Sequence, residues 1–397
     1  MPWGFHPMIA VPPTDRTWAE IDLAALLHNF NLARATGRKV MCIIKADAYG
    51  HGAVACGRFL EEQGAEAFGV ACLAEALQLR QAGLTRPILI LGYTAPASAS
   101  TLAEFGLTQT VVDEAAAKGL SAAAEAAGVT LPVHVKLDTG MSRLGILAQG
   151  SEQVQAAAEA VERIGGLPGL QVEGLYTHFS AADSPSEDAY TAWQMDNYRA
   201  VLEILTRKGL RPPLCHTSNS ACIMSHPETC VDLVREGIML YGLYPDNRPQ
   251  SGPLRPVMTL KSRVAQVRDL PAGTSVSYGR TFRADAPFTC AVVSAGYADG
   301  YPRRLSNQAR VAIRGQGHRQ VGRVCMDMTM VDVTGSEVQR GDEVTLFGRG
   351  GMSLEEVANL VGTINYEIAC LVTARAPRVY LPGDGGALLP PRADGKP

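Results

Sequence analysis

The sequence predicts a closed barrel of eight alternating strands and helices, followed by a mostly β domain. Three observations carry this. Short apolar runs recur eight times between residues 40 and 241, each long enough for one buried strand. Alanine-rich amphipathic stretches lie between most of them, and several end at glycine, a common helix stop. Beyond residue 250 the long helices disappear and apolar–polar alternation takes over. An α/β barrel suits the first pattern. A doubly wound open sheet is the alternative, but it usually has fewer strands.

Taken in order, 17–23 reads as a short strand and 24–34 as a helix. The eight barrel segments are 40–46, 67–72, 87–93, 108–112, 132–138, 172–179, 212–218 and 231–241. Helices are expected over 53–63, 73–82, 114–127 and 153–164, and the longest over 188–208. Pro245, Pro249, Pro253 and Pro256 mark a boundary between a barrel domain, 1–250, and a β domain, 251–397. The strand near 17–23 is open to either domain. Strands are expected at 257–267, 275–281, 290–296, 309–314, 324–333 and 343–347. Ser353 and Glu356 match a capping box ahead of a helix at 357–361. The tail from Pro382 is rich in glycine and proline and reads as mobile.

Composition narrows the function. The chain has 397 residues, enough for two cores, with 46% hydrophobic and 19% charged residues and a formal net charge of −3. No basic excess points to nucleic acid or to an anionic membrane. No apolar run is long enough to span a bilayer. The first sixteen residues lack the basic start and apolar run of a secretory leader. The nine cysteines show no paired CxxC spacing. They read as free thiols, so the cytoplasm is the expected compartment.

The stretch VMCIIKADAYGHG (40–52) is the centre of interest. Its five apolar residues read as a buried strand ending on Lys45, then a turn. Burying an ammonium is costly. Either the side chain snorkels to water, or its amine is used, as in Schiff-base chemistry. Other polar residues fall at strand ends, where barrels build their sites. Lys136 and Asp138 end the fifth segment, with Arg143 just after. His178 closes the sixth, the seventh ends in His216–Asn219–Ser220, and the eighth carries Arg235, Glu236 and Gly237. Singly, each has a plain structural reading: a core histidine, a turn cap, a local ion pair. Their convergence on one face makes a binding site the better account. Ser220 and the amides near Gly237 and Ile238 would suit a phosphate. There is no GxxxxGK[ST] loop and no HExxH or CxxC zinc pattern. An imine-forming lysine beside a phosphate cradle points to pyridoxal 5′-phosphate.

These residues lie in motifs that resemble the alanine racemase family from about Thr17 to Leu381. The motifs are IKADAYGHG (44–52), KLDTGMSR (136–143), VSYG (276–279), GYADG (296–300), CMD (325–327) and TINYE (363–367). Six in the family's order are a specific signal. The resemblance implies a pyridoxal-phosphate-dependent isomerase interconverting L- and D-alanine for the cell wall, working as a head-to-tail homodimer. Lys45 would hold the cofactor and act as one base; Tyr278, from the partner chain, would be the other. Tyr49, Asn219, Ser220, Gly237, Ile238 and Tyr366 would hold the cofactor, most of them at its phosphate. Arg143 would meet its phenolic oxygen and the substrate. Arg235 would bond the pyridine nitrogen, backed by His216, and His178 would lie by the ring. Tyr297 and Met326 would line the substrate's place, with Lys136 and Asp327 in support. In several relatives the lysine matching Lys136 is carbamylated. Two positions depart from the pattern. Ser142 stands where glycine is usual, and Glu236 follows the pyridine arginine where an apolar residue or proline is usual.

The resemblance thus implies an arginine at the pyridine nitrogen, which can only donate, and a second base in the β domain. Both features disfavour a barrel-type decarboxylase, which needs an acidic residue there, and a single-barrel cofactor carrier. A serine-preferring or broad-specificity racemase stays open, since apolar walls reject an added hydroxyl poorly.

Overall fold

The computed structural model describes residues 14–248 and 252–382. The reading of the chain's start, Pro249 and nearly all of the tail therefore lie outside the described residues. Two compact units emerge: one is Ala25–Arg255, the other combines Met1–Ala24 with Pro256–Pro397.

The first strand, β1 (Thr17–Asp22), belongs to the second unit. The first unit is the expected barrel. Its strands are β2 (Lys39–Ile43), β3 (Ala67–Val70), β4 (Ile88–Ile90), β5 (Thr108–Val111) and β6 (Leu131–Asp138). After the two-residue β7 (Ile146–Leu147) come β8 (Leu170–Tyr176), β9 (Leu214–His216) and β10 (Leu233–Glu236). Every neighbouring pair is parallel, and β10 pairs back onto β2 through Leu233 and Lys39, closing the ring. β7 only extends the end of β6. Most strand residues are buried, so most of the strands read as apolar runs; β5 (TQTV) is buried but largely polar.

Several expected strands are shorter than their apolar runs. β2 stops at Ile43, and Lys45 opens a turn instead of ending the strand. β9 keeps three residues. Pro212 and Pro213 have no N–H to offer, and the hydroxyls of Thr217 and Ser218 both turn to the Thr229 carbonyl. β10 ends at Glu236; Gly237, at φ −106° and ψ −108°, breaks it into a short turn, Ile238–Tyr241. The longest helix is Asp188–Arg207. Two short helices, Ala99–Glu104 and Ser220–Ser225, were not expected, because six residues carry too little periodicity to read.

The second unit is mostly β. Its spine is β11 (Met258–Leu270), a thirteen-residue strand that pairs with β1 and two others. The others are β12 (Ser275–Val276), β13 (Phe282–Arg283), β14 (Phe288–Val293), β15 (Arg310–Ile313), β16 (Gln316–Arg319), β17 (Thr329–Asp332), β18 (Glu343–Phe347) and β19 (Arg378–Leu381). β1 lies between β11 and β19, joining the two ends of the chain in one sheet. The expected strand at 275–281 is reduced to β12. Ser277, Gly279 and Arg280 all have positive φ and fold Tyr278 into a tight turn. Ser353 and Glu356 do form the capping box, ahead of the helix Leu354–Val361.

Candidate active site

The turn after β2 is unusual. Ala46, Asp47, Ala48 and Tyr49 all lie at φ between 51° and 55°. Together they form a turn of left-handed helix, which L-residues adopt rarely even singly. It is fastened from outside. Glu75 accepts the Ala46 N–H at 2.8 Å with one oxygen and the Ala71 N–H at 2.7 Å with the other. Asp47 Oδ1 accepts the Ala53 N–H at 2.8 Å. Lys45, half-buried, thus projects from a rigid base.

Across the barrel mouth, Ser220 Oγ accepts the N–H groups of Gly237 (3.0 Å) and Met239 (3.3 Å). A Cβ on Gly237 would stand 3.4 Å from Tyr49 Oη and 3.5 Å from Ser220 Oγ. Glycine therefore keeps open a cradle between two hydroxyls and a run of backbone amides. Ile238 is buried beside it. Asn219 caps the short helix, its Oδ1 accepting the Cys222 N–H at 3.0 Å.

Arg235 is buried inside the barrel, and all its acceptors in this unit are neutral. Its Nη1 donates to His216 Nδ1 at 3.0 Å. Its Nη2 donates to the carbonyls of Thr177 (2.8 Å) and Thr217 (2.9 Å) and to His178 Nδ1 (3.1 Å). Burial, then the guanidinium, holds His178 well below the usual imidazole range; burial, then neighbouring His134 and Arg235, does the same for His216. Lys136, buried on β6, is brought down to about 8, first by burial and then by Arg143 and Arg235; Asp138 opposes this. Asp138 itself caps the following loop, accepting the N–H groups of Gly140, Ser142 and Arg143. Ser142 in that loop has φ +54°, a conformation that favours glycine, the residue the family resemblance leads one to expect there. The mouth thus gathers Lys45, Lys136, Arg143 and Arg235 with little anionic balance, a setting for an anionic ligand.

Three participants escaped the sequence reading. Glu75 sits in the first turn of the helix Leu73–Gln81, 29 residues from its partner. Tyr176, pushed up to about 12 by burial, stacks on His216 with ring centres 4.7 Å apart and carries Arg235 over its face at 5.4 Å. His134 lies two residues before Lys136, on the same face of the strand; that period of two was the available signal.

The second unit holds the other predicted residues. Tyr278 is 70% exposed at its turn, where Ser277 Oγ donates to the Arg323 carbonyl at 2.6 Å. Tyr278, Ser277, Cys325, Met326 and Asp327 line an open concavity of about 660 Å³. Tyr297 and Met326 are exposed. The Tyr297 N–H donates to the Cys325 carbonyl at 3.1 Å, and a Cβ on Gly296 would collide with the carbonyls of Cys325 and Met326. Asp327 accepts from Arg375 at 2.5 Å through its carboxylate and from Arg16 at 2.8 Å through its carbonyl. Tyr366 is half-buried in the helix Asn365–Leu371. Each unit therefore gathers its own share of the predicted residues.

Two family models cover the chain: "Alanine racemase, N-terminal domain" matches residues 21–245, and "Alanine racemase, C-terminal domain" matches 257–380. The chain belongs to the alanine racemase family. Among relatives named alanine racemase, one from Desulforamulus reducens is 45% identical over 92% of this chain and 98% of its own length. One from Methanococcus maripaludis is 44% identical over the same shares. The solved alanine racemase of Clostridium difficile 630 is 38% identical with a TM-score of 0.87, over 94% of this chain and 97% of that one. An alanine racemase from Streptomyces coelicolor A3(2), also 38% identical, gives 0.85 over 92% and 98%. As an alanine racemase family member, the chain has the barrel-plus-β architecture of these enzymes along nearly its whole length.

Proposed function

We propose that this chain interconverts L- and D-alanine with pyridoxal 5′-phosphate as cofactor, using Lys45 and Tyr278 as its two bases. The observation that carries the reading is the barrel mouth: an amine on a strained turn, an anion cradle, and a buried guanidinium with neutral acceptors. These fit such a group. Tyr49, Ser220 and the amides at Gly237 and Ile238 would take the phosphate, with Asn219 holding the helix end in place. Arg235, backed by His216 and with His178 beside it, would face the ring nitrogen. When bound, the cofactor supplies the electron sink that makes the substrate's α-proton removable. Lys45 Nζ then takes or returns a proton on one face, and Tyr278 Oη on the other. Because arginine only donates, Arg235 would leave the ring nitrogen unprotonated. Arg143 orients the substrate, with Lys136 in support; Tyr297, Met326 and Tyr366 bound its place, and Asp327 braces that segment.

The family resemblance supports a homodimer in which Tyr278 and Met326 of one copy complete the site of the other. It also supports a division into a cofactor-binding domain up to residue 250 and a β domain beyond it. D-alanine made here would feed the cell wall. No helix among the described residues is long and apolar enough to cross a membrane. None of the nine cysteines is in a disulfide, which fits a reducing compartment such as the cytoplasm.

Incubating the purified protein with L-alanine and, separately, L-serine, with and without added cofactor, tests the reading. Cofactor-dependent D-alanine is expected, faster than D-serine. Faster D-serine formation would move the assignment to a serine racemase, and release of CO2 to a decarboxylase. Borohydride should label Lys45; an unlabelled Lys45 would remove its role.

A further inference from the structure

Behind His216 the barrel holds a further histidine. His134 is buried on β6, and its Nδ1 lies 2.8 Å from His216 Nε2. The direction of that bond follows from the other side of the His216 ring. His216 Nδ1 faces Arg235 Nη1, and a guanidinium has only donors. His216 Nδ1 therefore carries a lone pair. Burial keeps the ring neutral, so its one proton is on Nε2 and points at His134. His134 Nδ1 must accept it. His134 is neutral too, brought down to about 4 by burial and then by Arg235.

The backbone is shaped to admit this ring. The pairing of β6 with β8 is irregular between Val133 and His134, and a bulge re-aims the side chain beside it. The residue paired with His134 is Gly174. A Cβ there would stand 2.5 Å from His134 Cγ and Nδ1. Gly174 does not have positive φ. It is glycine in mid-strand because the imidazole fills the space a side chain would need.

We propose that His134, seated on the bare backbone of Gly174, is a positioning residue for racemisation: it accepts the His216 Nε2–H and so keeps the His216 lone pair on Arg235. Without that acceptor, a buried N–H is left unpaired. The ring then gains by flipping or exchanging tautomers, and Arg235 loses a partner. The effect on catalysis rests on the reading of Arg235 as the cofactor's ring contact; the relay itself does not.

The test uses full-chain protein with cofactor bound, labelled with 15N-histidine, and three variants. His134→Asn keeps an acceptor near the Nδ1 position, His134→Leu removes it, and Gly174→Ala displaces the ring. Solid-state 15N spectra from about pH 6 to 9, where an ordinary histidine changes charge, report the His216 tautomer. A His216→Gln sample assigns the signal. The unaltered protein and His134→Asn should show the Nε2–H form throughout, and the other two variants a mixture of tautomers. Racemisation should fall about tenfold or more in those two, and stay near the unaltered rate in His134→Asn. A pure Nε2–H signal in His134→Leu and Gly174→Ala would overturn the proposal. So would equal losses of activity in His134→Asn and His134→Leu, which would mean packing alone. Should His134→Leu fail to fold, Gly174→Ala against His134→Asn decides alone. If the unaltered protein makes no D-alanine, the function above fails, while the spectra still decide the relay.

Discussion

Replacing Glu75 should unfasten the turn that carries Lys45. Ala46, Asp47, Ala48 and Tyr49 each hold a left-handed conformation that costs an L-residue roughly 1–2 kcal/mol. The four together amount to about 4–8 kcal/mol. Contacts outside the turn must offset this, and Glu75 makes two of them, to the N–H groups of Ala46 and Ala71. A hydrogen bond to a charged group contributes about 1.5–3 kcal/mol. Glu75 is half-buried, so the lower figure applies to each bond. Glu75→Ala should therefore lose about 3 kcal/mol. Glu75→Gln, which keeps one acceptor oxygen, should lose about half of that. For a unit of this size, each kcal/mol lowers the melting temperature by about 2–4 °C. Thermal unfolding of the three proteins gives the ordering, and hydrogen exchange over residues 45–50 shows where the loosening is. If both variants melt with the unaltered protein and exchange in that segment is unchanged, the turn is held by something other than this carboxylate.

Three further outcomes are expected. Ser142→Gly removes a Cβ from an exposed residue at φ +54° and should stabilise by about 0.5–1 kcal/mol; an unchanged melting curve would contradict this. Tyr278→Phe should slow α-proton exchange by about 10²–10⁴-fold on one enantiomer far more than on the other. Equal loss on both, followed with deuterated solvent, would count against two separate bases. Stability should also follow pH with opposing slopes. His134, His178 and His216 have lowered pKa values in the fold. The stability they contribute is whole above 6.5 and is lost as pH falls, for His134 down to about 4. Glu236, buried and raised well above 4.5, acts in reverse: its contribution is whole below 4.5 and lost as pH rises. Glu236→Gln should remove a slope of about 1.4 kcal/mol per pH unit. Urea unfolding between about pH 5 and 8 checks this, and parallel curves for the two proteins would show that Glu236 is not protonated in the fold.

Much of the architecture was legible because it is written locally. Most barrel strands hold a run of adjacent apolar residues, and the capping box at Ser353 and Glu356 is complete within four positions. Strand ends were less legible. The run 40–46 looks like one strand, but β2 ends at Ile43 because the chain turns left-handed after Lys45. The run 275–281 likewise hides three positive φ values around Tyr278. The plain reading of Asp138 as a turn cap matched its bonds to Gly140, Ser142 and Arg143. His134 and Tyr176 went unread, since a single buried ring on a strand looks the same whether it packs or positions.

By itself, the order of residues determined the barrel class, the β character of the second unit and the family, all of which rest on short-range periodicity and contiguous motifs. Tertiary structure alone decided that β10 closes onto β2, that β1 pairs with β11 and β19, that Glu75 holds the turn after Lys45, and that Gly174 makes room for His134. The reason is the same in each case. A hydrogen bond, a closed ring or an excluded Cβ depends on a partner tens or hundreds of residues away, and no local window contains both halves.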